Sequence, residues 1–313
     1  MQGKRVLLLG GNGFVGRHLA VELAQRGARV TLPCRRPGRL NALRVLPGLQ
    51  LVEASITEVN QLSELCKEQE VVINLVGILN QDKRTTFRAI HVEFVKTILE
   101  TCRQQGVQRL LHVSALGADQ ANGASEYLRS KGEGENLVHT FGRKDFKVTS
   151  FRPSVIFGED DSFINRFTPL IRMTPGLLPL ACARSRFSPV YVGDVVKRIA
   201  VTIDDPASVS QHYPLCGPET LSLGQIVEHI ARAIGKPCKV VALPNPLARL
   251  QATILQNLPG KLFTMDNYRS LQVASVCSQP SPGCDTSFSV YLRGLQSRFN
   301  RRAEYDRYRR FAD

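Results

Sequence analysis

An uninterrupted apolar run, Val6 to Leu9, ends in glycines at positions 10, 11, 13 and 16. A strand without polar alternation is one covered on both faces. Behind it, Val15, Leu19 and Leu23 recur at helical spacing, while Arg17, Glu22, Gln25 and Arg26 fall elsewhere on the turn. This spacing predicts a helix over Phe14 to Arg26, stopped by Gly27, and a second strand over Ala28 to Leu32. Strand signals recur at Gln50 to Glu53, Val71 to Leu75, Arg109 to Val113 and Lys147 to Phe151. Helical patterns separate them, as in Phe87 to Gln105 with Ile90, Phe94, Ile98 and Cys102 in register. Such alternation predicts an α/β chain with a doubly wound parallel sheet.

The texture changes beyond about Ser154. Prolines 169, 175, 179 and 189 interrupt the apolar stretch from Phe163 to Val192. We expect a nucleotide-binding domain over 1–158, completed by parts of 187–216, and a smaller, irregular substrate or partner lobe over 159–313. Phe187 to Val192 and His212 to Leu215 are expected to return to the core. Ser222 to Gly235 reads as a capped helix with Leu223, Ile226, Val227, Ile230 and Ile234 on one face. Leu247 to Leu258 is amphipathic through Leu247, Leu250, Ile254, Leu255 and Leu258, and is expected to face the core.

Length and charge narrow the classes. A chain of 313 residues has room for one large domain and a lobe. No apolar run approaches the ~20 residues of a membrane span. The first strand starts almost at Met1, which predicts no targeting peptide in this chain. The eight cysteines form no CxxC pair and are expected to be free thiols; Cys277 and Cys284 are the alternative bridge or half-site. The six histidines show no ligand spacing, so no metal is expected. The net charge is +14, much of it in Arg293, Arg298, Arg301, Arg302, Arg307, Arg309 and Arg310. Such a tail suits an acidic protein surface, an anionic membrane surface, or a solvated helix face. No nucleic-acid motif accompanies it, so no nucleic-acid partner is expected.

The glycine turn carries chemistry. Gly10, Gly13 and Gly16 follow a strand and open a helix, whose bare amide groups suit an anionic phosphate. Asn12, Phe14 and Val15 complete this cradle. About 20 residues past such glycines an acid favours NAD and arginine favours the 2′-phosphate of NADP. This chain has Pro33-Cys34-Arg35-Arg36, with Arg39 close behind. Arg35 and Arg36 therefore predict NADPH/NADP rather than NAD. Arg166, Arg172, Arg184 and Arg186 in the lobe suit either a diphosphate or carboxylate substrate or an acidic partner.

Tyr127 and Lys131 stand four apart on a predicted helix, hence on one face. An ammonium beside a phenol lowers its pKa and fits it for proton exchange with a carbonyl or alcohol. Ser114, ending the fifth strand, is placed to bond the same oxygen. Ser114, Tyr127 and Lys131 are the candidate catalytic set.

These features resemble an extended or atypical short-chain dehydrogenase/reductase. The resemblance rests on Gly10/Gly13/Gly16, Asn74-Leu75-Val76-Gly77, Ser114, Tyr127 with Lys131, Arg152-Pro153-Ser154 with Phe157-Gly158, and Val190-Tyr191-Val192-Gly193-Asp194. It implies a Rossmann sheet, with Val76, Gly77, Ser114, Tyr127, Lys131 and Pro153 also contacting cofactor. Asn74 to Leu79, His112 to Gly117, Glu135, Phe263-Thr264-Met265-Asp266-Asn267, Tyr305 and the basic tail are similar to one branch: the NADPH-binding accessory subunit of respiratory complex I and its bacterial relatives. That branch implies an NADPH held without established turnover. It also implies attachment to the peripheral arm of NADH:ubiquinone oxidoreductase, in the cytoplasm or peripherally on the inner face of the inner membrane. The other reading is a soluble NADPH-dependent reductase or epimerase working through Ser114, Tyr127 and Lys131. Ser55, Val76 and His91 depart from the active-reductase pattern. Val76 bears on how the nicotinamide ribose sits, and His91 on a proton relay to Lys131.

Overall fold

The computed structural model describes residues 1–295, apart from 83, 143–145, 258–260 and 262. The chain divides into two compact units, Met1–Pro153 with Val192–Leu215, and Ser154–Tyr191 with Cys216 onward.

The first unit is built on β1 (Arg5–Leu9), β2 (Arg29–Cys34), β3 (Leu49–Glu53), β4 (Val71–Asn74), β5 (Arg109–Val113) and β6 (Lys147–Pro153). With the edge strand His212–Leu215 they form a seven-stranded sheet in the order edge–β6–β5–β4–β1–β2–β3. Every pairing in it is parallel. The order reverses between β1 and β4, and the loops after these two strands flank that reversal. Open parallel sheets bind ligands at such a point. The helices are α1 (Phe14–Gln25), α2 (Val59–Cys66), α3 (Phe94–Gln104) and α4 (Glu126–Phe141). Leu7, Leu9, Val72 and Leu110 pack with Leu62, Phe94, Ile98, Cys102 and Val138 of α2–α4 in one buried cluster. Helix α1 packs beside the helix Val192–Thr202.

The expected elements stand at their places with end shifts of one to three residues. One helix is altered: over Ala89–Glu93 the predicted Phe87 to Gln105 segment widens into a π turn before α3 begins. In the return to the core, the sheet recovers His212–Leu215, and the first unit resumes at Val192. Phe187 and Val190–Tyr191 instead pair within the second unit, against Leu221 and Ile156–Phe157.

The second unit corrects three expectations. The stretch after Phe163 is not irregular throughout, because Asp161 caps a helix over Ser162–Met173 that passes through Pro169. The amphipathic helix Asn245–Leu255 does not bury its large residues. Leu247, Leu250 and Ile254 are about half exposed, while Ala248 and Ala252 pack against Ala181 and Tyr268. Its small face makes the close approach and its leucine stripe is left outward. Leu258 lies outside the described residues. The thiols are not all free: Cys216 and Cys277, with Cα atoms 6.1 Å apart, form a disulfide, and Cys284 remains a buried thiol. Sequence spacing carried no sign of this pair, which lies 61 residues apart and is brought together only by the fold. The predicted capped helix is present as Leu223–Ala233, closed by a Ser222/Gln225 capping box. Of the tail, Arg298, Arg301, Arg302, Tyr305, Arg307, Arg309 and Arg310 lie outside the described residues.

The disulfide sets a direct expectation. Under denaturing, non-reducing conditions the six free cysteines titrate with a thiol reagent, and reductant releases two more. Reduction also lowers stability to denaturant by about 2–4 kcal/mol, as expected for opening a loop of this length.

Candidate functional site

The turn after β1 is shaped by what cannot fit there. Gly10 takes φ +79°, and a Cβ on it would stand 3.1 Å from the Leu75 carbonyl carbon and the Val76 nitrogen. Gly16 has ordinary helical geometry, but a Cβ there would overlap Gly10 and Gly11. Helix α1 therefore comes down directly onto the strand end. Gly13 is different. Its φ is −76° and a Cβ would meet only the Gly10 oxygen, at 3.3 Å, so its bareness keeps the outward face open. No side chain caps α1 at Gly13, which leaves the amides of Phe14 and Val15 for an outside acceptor. Asn12 and Gly13 are exposed and Phe14 and Val15 half-buried beside them.

Next to this turn lies a cavity of about 600 Å³ lined by Asn12, Arg17, Cys34, Arg35, Arg36 and Leu40. Three of the six lining residues are guanidiniums and none is a carboxylate. Arg35 and Arg36 thus stand where the sequence placed them. Arg17, one residue past the last glycine, was read there only as surface; its position in the first turn of α1 was the available signal. A naked, uncapped helix start and this cationic recess suit the phosphates of a dinucleotide.

The second half of the site follows β4 and β5. Asn74, buried at the end of β4, accepts the Val76 amide at 3.0 Å and bonds His112 Nδ1 at 3.1 Å, which fixes the loop through Val76 and Gly77. A Cβ on Gly77 would stand 3.0 Å from Lys131 Nζ. Ser125 caps α4, and the predicted Tyr127/Lys131 spacing places both residues on that helix. Lys131 is buried and donates to the Val113 carbonyl at 3.0 Å. Burial lowers its pKa to about 8, against the upward pull of Glu135. Tyr127 meets Phe87 and His91 edge-on, with ring centroids 5.8 and 5.6 Å away. The phenol is not activated as expected from the spacing: burial raises its pKa to about 12. Ser114 Oγ is buried and has no hydrogen-bond partner among the described residues. A buried hydroxyl without a partner is costly, and a bound ligand is the natural acceptor or donor for it. Pro153 ends β6, where its carbonyl accepts the Leu116 amide at 2.9 Å.

His91, in the π turn, has a defined role. Its Nε2 accepts the Ile78 amide at 3.1 Å and its Nδ1 lies 2.9 Å from Ser130 Oγ. The Ser130 hydroxyl in turn donates to the Tyr127 carbonyl at 2.9 Å. With Nε2 accepting, Nδ1 carries the proton and donates to Ser130. The ring is a neutral strut between the β4 loop and α4, not a relay. Burial first, and then the Lys131 charge, hold its pKa down at about 3. Helix α4 reaches the strut closely because a Cβ on Gly134 would overlap the His91 carbonyl. Ser130 was missed in the sequence because its partner is set by a π turn that periodicity does not show.

Comparison with known proteins fits this geometry. Residues 6–216 match the model of the NAD dependent epimerase/dehydratase family, and the chain belongs to that family. It is 26% identical over 256 residues to the mitochondrial NADH-ubiquinone oxidoreductase 40 kDa subunit of Neurospora crassa, covering 81% of this chain and 66% of that protein. It is 29% identical over 287 residues to the mitochondrial NADH dehydrogenase [ubiquinone] 1 alpha subcomplex subunit 9 of Arabidopsis thaliana, covering 87% of this chain and 70% of the relative. Among solved structures, UDP-glucuronic acid 4-epimerase from Bacillus cereus, in complex with UDP-glucuronic acid and NAD, superposes with a TM-score of 0.68 at 18% identity. That match covers 94% of this chain and 98% of the epimerase chain and is a likeness of fold.

The strut has a pH signature. Between the unfolded pKa near 6.5 and the folded value of about 3, the unfolded chain binds a proton at His91 that the folded chain does not. Stability from this residue is present above pH 6.5 and is lost as pH falls towards 3. Replacing His91→Asn flattens that part of the acid limb in a plot of melting temperature against pH.

Proposed function

We propose that this chain holds NADP(H) in its first unit and serves as an accessory or assembly protein of respiratory complex I. The observation that carries the cofactor reading is the cavity lined by Arg17, Arg35 and Arg36 beside the uncapped start of α1. A 2′-phosphate brings a near-dianion to a recess that offers cations and no carboxylate. A bare ribose diol would instead look for an acidic acceptor that the lining lacks. Gly10, Gly13 and Gly16 make room for the pyrophosphate, with Asn12, Phe14 and Val15 around it. Val76, Gly77, Ser114, Tyr127, Lys131 and Pro153 take the nicotinamide half. Lys131 orients the ribose hydroxyls and Ser114 supplies the hydroxyl that lacks a partner.

The partner reading rests on the relatives, whose names place them in NADH dehydrogenase. The proposal extends to a position on the peripheral arm near an anionic membrane surface, and its support is the sequence resemblance together with the charge of the arginine-rich tail. Among the described residues no helix is long and apolar enough to cross a membrane.

The second reading is an NADPH-dependent reductase or epimerase. Ser114 favours it, since its free hydroxyl would position a substrate carbonyl. When bound, the nicotinamide supplies a hydride at C4. Tyr127 would carry the proton and Lys131 would lower the cost of its anion. Holding is favoured by the relatives, which are named as subunits of NADH dehydrogenase; a protonated Tyr127 phenol is equally the form that donates a proton in a reduction.

Binding measurements separate these readings. NADPH binds more tightly than NADH to the unaltered chain, and Arg35→Ala with Arg36→Ala lowers NADPH affinity at least tenfold while leaving NADH affinity within a factor of about three. Equal affinities in the unaltered chain would overturn the NADP assignment. Affinity purification from its native cells recovers complex I subunits with the chain; their absence would remove the partner assignment. Oxidation of bound NADPH by carbonyl substrates, abolished by Tyr127→Phe, would favour the enzyme.

A further inference from the structure

We propose that Glu135, His139 and His212 form a binding site for one transition-metal ion, with zinc as the best-matched ion. One ligand atom from each lies within 4.8 Å of the others. Glu135 and His139 stand one helical turn apart on α4, the i,i+4 spacing that aims two ligands from one face. His212 comes from the edge strand and closes the set from the sheet. The spacing of the histidines among themselves does not mark this set. The Glu-xxx-His step was present on the helix, and the third ligand arrives only through β-pairing 73 residues later than His139.

The carboxylate is already oriented for this task. Glu135 is fully buried, and Arg152 Nε donates to both of its oxygens, at 2.9 and 3.0 Å. His212 Nδ1 lies 2.6 Å from Oε1. A carboxylate has about four lone-pair positions, and the arginine and histidine occupy three of them. A metal ion takes the place of the His212 hydrogen on Oε1, and Arg152 stays behind as the outer partner that fixes the ligating group. Ligands at about 2.0–2.1 Å from a tetrahedral ion stand roughly 3.3 Å apart, so Oε1 and Nδ1 separate by less than ~1 Å. The two imidazole rings are stacked with centroids 3.7 Å apart, so their in-plane lone pairs run side by side and the exposed His212 ring must turn for both nitrogens to face one ion. His139 Nε2 also bonds Ser150 Oγ at 3.0 Å, a hydroxyl placed to orient the ring.

The charge balance selects the ion. One carboxylate faces Arg152 as well as the incoming cation, so a hard ion that depends on several carboxylates gains little here. Two imidazoles and one carboxylate with an open fourth position are the ligand set of zinc. His212 is 38% exposed, which gives the ion and a water molecule access from solvent.

The test is titration of the full chain with Zn²⁺ and, as a spectroscopic stand-in, Co²⁺. The expected result is one ion per chain, with visible cobalt bands of a nitrogen–oxygen site and no thiolate-to-cobalt charge transfer. Separate His139→Gln and His212→Gln chains each bind at least a hundredfold more weakly while melting within a few degrees of the unaltered chain. Should a variant fail to fold, X-ray absorption of the zinc-loaded unaltered chain decides: a nitrogen–oxygen shell supports the site. Sulfur in that shell, a thiolate charge-transfer band, unchanged affinity in folded variants, or no ion bound by the unaltered chain would overturn it.

Discussion

The site depends on the contact of one glycine with the backbone of two others. Gly16 meets the backbone of Gly10 and Gly11 with no room for a Cβ on it, and this brings the start of α1 onto the end of β1. Without that approach the helix would begin farther from the sheet, and its amide groups would point past any phosphate at the strand ends. The positive φ of Gly10 serves the same contact from the other side. It turns the chain sharply enough that the next loop, after β4, passes at van der Waals distance through Leu75 and Val76. Two loops are thus fixed at one crevice by backbone packing before any side chain is considered.

Side chains then divide that crevice. At one end the guanidiniums of Arg17, Arg35 and Arg36 gather around a recess. At the other, a chain of hydrogen bonds runs from the Ile78 amide through His91 and Ser130 to the Tyr127 carbonyl. This chain ties the β4 loop to α4 and sets Tyr127 and Lys131 at fixed positions. It uses a neutral imidazole whose two nitrogens are both committed, so it positions without moving protons. Of the three residues that depart from the active-reductase pattern, His91 is therefore structural in effect. That supports a protein that keeps its dinucleotide in place.

Much of this was legible in the chain. The apolar run into spaced glycines, the Arg35-Arg36 pair at the end of β2 and the Tyr127/Lys131 step on a helix all depend on local spacing, and local spacing survives folding. What was hidden depends on distant parts of the chain meeting. Cys216 finds Cys277 across 61 positions, and His212 reaches Glu135 through strand pairing. The π turn at His91 was hidden for another reason, since one added residue per turn leaves the apolar spacing of the segment nearly unchanged. The helix Asn245–Leu255 misled because its hydrophobic stripe and its packed face differ: alanines, not leucines, make the close contact. The phenol pKa was misjudged because the sequence shows a lysine nearby but not the burial that outweighs it.

Identifying any nucleotide that the protein retains tests the proposed NADP(H) binding most directly. Protein purified from its native source without added cofactor, denatured, and analysed by chromatography and mass spectrometry should release NADPH or NADP⁺ at close to one per chain. Release of NAD⁺ or NADH instead, or of no dinucleotide from protein that binds none when it is supplied, would contradict it.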